Sequence, residues 1–148
     1  MDGDLVRKSL SQGLGFTKED RDVHIQRLSF VAELLTRNGV IAIVAAVSPY
    51  REARALARRQ IENFVEVYVR CPVETCIQRD VKGMYRQALE GLLPAFTGVS
   101  DPYEEPENPE ITVDTSRLTR EQSVELILAR LVELEHLPKA HSPATLIS

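Results

Sequence analysis

The sequence predicts an α/β domain with a three-layer parallel sheet, and three observations carry that prediction. Val40–Val47 (VIAIVAAV) is continuously apolar and rich in β-branched residues, as a strand covered on both faces should be. Helical and extended patterns alternate along the chain, which implies parallel pairing through right-handed crossovers. The two longest helical stretches begin at hydroxyl caps, Thr17 and Thr119. Three strands can be assigned in this way.

In chain order, Asp2-Gly3-Asp4 makes a good turn. It is also a place where backbone approaches a ligand closely between two carboxylates, suited to Mg²⁺ or to a general base. Leu5–Leu10 reads as a helical turn carrying Arg7, and Gly13–Phe16 as a flexible link. From Lys18 to Asn38 a helix is predicted by the apolar spacing of Ile25, Leu28, Ala32 and Leu35, with Gly39 as its stop. Arg21 and His24 lie off that stripe, either on a solvated face or at a helix start that favours anions. After the apolar run Ser48 is well placed as an N-cap and Pro49 suits a first helical position, and the helix itself is assigned from Arg51 to Ile61. Capping explains Ser48 without function, yet the carboxyl end of a parallel strand is where open α/β sheets bind ligands.

Phe64–Val69 is the second predicted strand, Val73–Gln78 a short helix, and Ile111–Asp114 the third strand. Thr119 with Gln122 forms a capping box for a last helix whose stripe is Val124, Ile127, Leu131 and Leu134. Residues 138–148 are expected to be a flexible tail. The region from Arg79 to Pro106 holds one short helix within a run of glycine, proline and carboxylate, and reads as a lid or as a plain surface excursion.

Composition narrows the function classes. One domain is expected from 148 residues. A net charge of −4 without a dense Lys/Arg block argues against nucleic acid. No apolar run has membrane-spanning length and no leader pattern is present, so the expected compartment is the cytoplasm, with no membrane partner. Cys71 and Cys76 lack the second ligand pair of a zinc site and read as free thiols. An arginine-rich sheet with a lid points towards nucleotide or phosphate chemistry.

Several stretches together carry a family resemblance: DGD at Asp2–Asp4 with Arg7, LGFTKEDR at Leu14–Arg21, VSPYR at Val47–Arg51, RDVKGMY at Arg79–Tyr85 and FTGVSDPYEEPENPEI at Phe96–Ile111. In this order and spacing the chain resembles the adenylylsulfate kinases over nearly all of residues 1–137. The resemblance implies a sheet of P-loop NTPase type and transfer of the ATP γ-phosphate to the 3′-hydroxyl of adenosine 5′-phosphosulfate, a step of sulfate assimilation. ATP and Mg²⁺ are the implied cofactors, and a homodimer or a sulfate adenylyltransferase are the implied protein partners.

It also implies roles. Phe16 and Phe96 would stack on the adenine, with Thr97 and Gly98 beside them, and Arg7 and Arg21 would hold the phosphosulfate. Asp2 would serve as base or Mg²⁺ partner with Asp4 next to it, and Lys82 and Arg79 would come down with the lid onto the phosphates. Ser48 matches a serine that some members carry phosphorylated. His24, implied as a further substrate contact, stands where the family usually has Asn.

A family member would also have a strand, a G-x-x-x-x-G-K-[ST] loop, a helix and a second strand before the DGD, and no Gly-Lys dipeptide occurs here. The expectation is therefore a family fold truncated at its N-terminus, with little kinase activity as it stands. Two alternatives are an adenylylsulfate-binding domain that transfers no phosphate, and an interaction domain docking on a sulfate adenylyltransferase.

Overall fold

The structure is a computed structural model that describes residues 1–138; the predicted tail, apart from Pro138, lies outside the described residues. The elements in order are α1 (Gly3–Arg7), α2 (Lys18–Arg37), α3 (Arg51–Gln60), β1 (Val67–Arg70), α4 (Val73–Arg79), α5 (Met84–Leu89), β2 (Ile111–Asp114) and α6 (Arg120–Glu133). They fall into two compact units. Met1–Val65 with Val73–Asn108 forms the first, and Glu66–Pro72 with the chain from Pro109 forms the second.

In the first unit α2 is the central element. Thr17 Oγ1 accepts the Asp20 amide at 3.2 Å, and Gly39 closes the far end at φ 76°. The buried face of α2, with Leu28 only 1% exposed, packs against Ala53 of α3, and Met1 and Val6 pack on the edge of that cluster. Alanines at 53 and 57 on the buried face of α3 let the two helices approach closely. Full burial of a leucine such as Leu28 contributes roughly 1.5–3 kcal/mol. α4 lies against α5.

Four expectations are corrected in this unit. Val40–Val47 does not form a strand; it makes one isolated parallel bridge, Ala45 to Asp2. Gly3 N donates to Ala45 O at 2.8 Å, Ala45 N donates to Met1 O at 2.9 Å, and the Met1 ammonium donates to Ile43 O. The run is apolar enough for a central strand, but Met1–Gly3 is its only ladder partner among the described residues. Ile41 and Ile43 are consequently 75% and 76% exposed. The first helix begins at Gly3 rather than Leu5, because Asp2 Oδ1 caps it by accepting the Leu5 amide at 2.9 Å. Ser48 is not an N-cap, nor is Pro49 a first helical residue. α3 starts at Arg51 without a cap from its own N-terminal flank, and Ser48 sits at φ 42°. Finally, His24 is buried rather than solvated.

In the second unit β1 and β2 form a two-stranded parallel sheet in the register Val67↔Ile111 to Arg70↔Asp114. Among the described residues two strands thus replace the three predicted, and β1 begins three residues later than expected. Pairing starts only where the Ile111 amide reaches Glu66 O, at 3.2 Å. β2 has its predicted bounds, and its inward residues Ile111 and Val113 are 2% and 1% exposed. α6 packs on β2 behind a full capping box, in which Thr119 N donates to Gln122 Oε1 at 2.9 Å and Gln122 N to Thr119 Oγ1 at 3.2 Å. Val124, placed in the core stripe by sequence, is 50% exposed, and Ser123 is the buried residue of that turn. A two-stranded sheet offers α6 a narrow surface, so its stripe is only half covered.

Candidate substrate site

Arg7, Phe16 and Arg21 come together at one point of the first unit. Arg7 ends α1 and donates from Nη1 to Gly15 O at 2.9 Å, while Gly15 N donates to Asp20 Oδ2 at 3.0 Å. A Cβ at residue 15 would stand 2.8 Å from that carboxylate oxygen, so a side chain there would displace the Asp20 carboxylate from the Gly15 amide. The link is therefore held on both sides, and Phe16 projects from it with 53% of its surface exposed. The guanidinium carbons of Arg7 and Arg21 lie 4.7 Å and 5.4 Å from its ring centroid. Both are within cation–π range. Burial, and next the neighbouring Arg21 charge, lower the Arg7 pKa. A guanidinium stays cationic regardless.

Arg21 also reaches the lid. Its Nε donates to Phe16 O at 2.9 Å and its Nη2 to Ala95 O at 2.7 Å. One side chain thus ties together the loops that carry Phe16 and Phe96. Phe96 packs edge-on against Tyr85, with centroids 5.1 Å apart and planes at 75°. Its carbonyl accepts the amides of Val99, Ser100 and Asp101, and its own amide donates to Ser100 Oγ at 3.0 Å. Gly98 turns this loop at φ 84°, a conformation that favours glycine. Thr97 Oγ1 is buried there without a partner among the described residues. A buried hydroxyl without a partner costs stability, and such a group is one that a ligand can satisfy.

Lys82 and Asp4 meet at 3.0 Å across 78 residues of sequence, both well exposed. The Asp4 carboxylate raises the Lys82 pKa. Asp2 keeps one carboxylate oxygen on the Leu5 amide, and its other oxygen has no partner among the described residues. Three or more His, Cys, Asp or Glu side chains grouped to hold a metal are not found among the described residues. Buried His24 shares a 2.8 Å hydrogen bond between Nδ1 and Ser11 Oγ, and burial lowers its pKa. Ser48 lies away from this cluster in its contacts; its carbonyl accepts Arg54 Nη1 at 2.6 Å, and its buried Oγ has no partner among the described residues. Arg79 is the last residue of α4. Cys71 and Cys76 are not in a disulfide among the described residues.

Sequence reasoning passed over Tyr50 and Asp101. The Tyr50 hydroxyl donates to Asp101 Oδ2 at 2.7 Å, and the same oxygen lies 4.0 Å from Arg21 Nε. The signal was present, since Tyr50 belongs to VSPYR and Asp101 to SDPYEEP, but nothing local says that the two meet.

Comparison with known proteins places these features in a family. A family model described as adenylylsulphate kinase matches residues 1–114. An adenylyl-sulfate kinase from Rippkaea orientalis is 55% identical over 139 residues, covering 94% of this chain and 77% of that protein. A probable bifunctional SAT/APS kinase from Sorangium cellulosum is 50% identical over 139 residues, which are 94% of this chain but 24% of that protein. The solved structure of the Mycobacterium tuberculosis APS kinase in complex with AMPPNP and APS superposes with a TM-score of 0.82 at 40% identity, covering 88% of this chain and 78% of that one. The α/β fold is accordingly of the P-loop NTPase type. No helix among the described residues is long and apolar enough to cross a membrane.

Proposed function

The chain belongs to the adenylylsulphate kinase family, and from that premise we propose that it binds adenosine 5′-phosphosulfate and presents its 3′-hydroxyl for phosphorylation by ATP. The observation that carries this reading is the exposed Phe16 ring with two guanidinium groups beside it and the Phe96 loop tied to one of them. A flat apolar ring suits an adenine, and fork-shaped donors suit the phosphosulfate oxyanions. Thr97 Oγ1 adds a hydroxyl in need of a partner, and Gly98 lets the backbone turn close to the nucleotide.

In this reading Arg7 and Arg21 bind the phosphosulfate and His24 backs the site through Ser11. Asp2 accepts the proton of the attacking hydroxyl, since one of its oxygens is free to do so. Lys82 exchanges Asp4 for the transferring phosphoryl group, and Arg79 adds positive charge from the end of α4. The alternative role for that same Asp2 oxygen is as a ligand to Mg²⁺, which commonly takes one or two protein carboxylates and otherwise water and phosphate oxygens. Bound there, Mg²⁺ would neutralise charge on the ATP phosphates. Ser48 keeps its Oγ buried and serves as a marker of position. A sulfate adenylyltransferase, or a second copy of the chain, is the expected protein partner. The bifunctional name of the Sorangium relative supports the former. Cysteines outside any disulfide among the described residues, Cys71 and Cys76, suit a reducing cytoplasm.

Titration calorimetry with adenosine 5′-phosphosulfate tests the reading. The chain should bind it, and Arg7→Ala should weaken binding by about 10- to 100-fold, as loss of a charge-assisted contact does. Phe16→Ala should weaken adenosine and its phosphosulfate alike. A folded chain that gives no heat with adenosine 5′-phosphosulfate sinks the proposal. Adenylylsulfate-dependent ADP release separates transfer from binding alone.

A further inference from the structure

Arg21 has an arrangement that phosphosulfate binding alone does not require. Only 11% of its side chain is exposed, and two of its nitrogens are committed to the carbonyls of Phe16 and Ala95. Neutral carbonyls orient a buried cation but do not balance its charge. The Asp101 carboxylate does, from 4.0 Å. Asp101 is in turn fixed by the hydroxyl of Tyr50, which is 5% exposed and whose pKa is pushed up to about 12, chiefly by burial, so that it remains a donor. On the chain side, Asp101 N donates to Phe96 O and Gly98 N to Asp101 O at 2.7 Å, so a shift of Asp101 moves Phe96 with it. Ala95 holds φ 54°, unfavourable for a residue with a Cβ, and its carbonyl is the one that Arg21 grips.

We propose that Tyr50 and Asp101 are positioning residues that act through Arg21 to hold the Phe16 and Phe96 loops at one fixed spacing. That this spacing serves a sulfated adenine nucleotide rests on the function proposed above. Neither residue touches the nucleotide in this scheme.

The test is a double-mutant cycle on the chain with Asp101→Asn and Tyr50→Phe, each alone and combined with Arg21→Gln. Two signals are read: amide hydrogen exchange at residues 14–16 and 95–101 without ligand, and calorimetric affinity for adenosine 5′-phosphosulfate. Thermal melts establish that each variant folds, and Tyr50→Phe, which keeps the buried ring, decides alone if Asp101→Asn does not fold. Each single variant should raise exchange in both loops several-fold and weaken nucleotide binding about tenfold, with neither effect repeated in the Arg21→Gln background. A merely structural role would lower the melting point while leaving the effects additive with Arg21→Gln. Additive effects, or wild-type exchange in both loops, overturn the proposal. Coupled exchange in a chain that gives no nucleotide heat keeps the staple and removes the nucleotide reading.

Discussion

His24 illustrates how much one side chain's surroundings decide. The residue is 4% exposed, its ring is bonded to Ser11, and when protonated it faces Arg7 and Arg27 as like charges and Asp4 as an opposite one. Burial is the largest influence, and it places the folded-state pKa below the ordinary 6.5. The unfolded chain therefore binds the proton more readily. The stability tied to neutral His24 is fully present above pH 6.5 and is lost as pH falls through the lower folded value. Thermal melts from pH 7.5 down to about pH 5 should show a falling midpoint, and His24→Asn should flatten part of that slope. An unchanged slope in the variant would remove His24 as a cause. Among the site residues, Arg7 and Phe16 were singled out through the resemblance of the DGD and LGFTKEDR stretches to a known family, and Arg21 also by its place in the first turns of a helix. The burial of His24 was not legible in the sequence, because its partner Ser11 lies in an irregular turn that no periodicity marks.

Elements show where local signals suffice and where they fail. α2 was readable almost to the residue, since Thr17 and Gly39 close it from within its own flanks. α6 was readable from its capping box, and Thr119→Ala should cost about 1 kcal/mol in a denaturant melt. The start of α3 at Arg51 was readable, but its cap was not. Its first amide, Arg51 N, donates to Glu104 Oε2 at 2.7 Å, and Arg51 Nε donates to Glu105 O at 2.7 Å. Glu104 N returns a bond to Pro49 O at 2.8 Å. The cap therefore comes from a segment 53 residues downstream in sequence, and the nearby Ser48 hydroxyl takes no part in it. Glu104→Ala should destabilise the chain by about 1 kcal/mol, while Ser48→Ala should leave α3 intact. Equal effects of the two, in the same melts, would contradict this assignment. Val40–Val47 failed as a strand prediction for a related reason: a strand is defined by neighbours, and apolar composition cannot supply them.

For the whole molecule the sequence read the class correctly and overestimated the amount of sheet. Alternation of patterns gave α/β, and parallel pairing of β1 with β2 follows the crossover rule. What the pattern could not show is how much apolar surface stays in water. Ile41, Ile43 and Val47 are more than half exposed, as is Phe30 on α2. Contiguous exposed apolar surface favours association. Ile41→Thr with Ile43→Thr should reduce concentration-dependent self-association in sedimentation experiments without lowering the melting point. Association unchanged by the pair would assign it to another surface.

The cap that Glu104 places on α3 has a kinetic consequence. A helix with its own hydroxyl cap can form early from nearby residues, whereas the first turn of α3 must wait for a long loop to close. In refolding, α2 should gain amide protection before Arg51 and its neighbours do, and Glu104→Ala should accelerate unfolding while barely changing the folding rate. The same dependence runs in reverse in the native state. Whenever residues 101–107 swing open, the beginning of α3 frays with them, and the order of a distant helix registers whether the segment is closed.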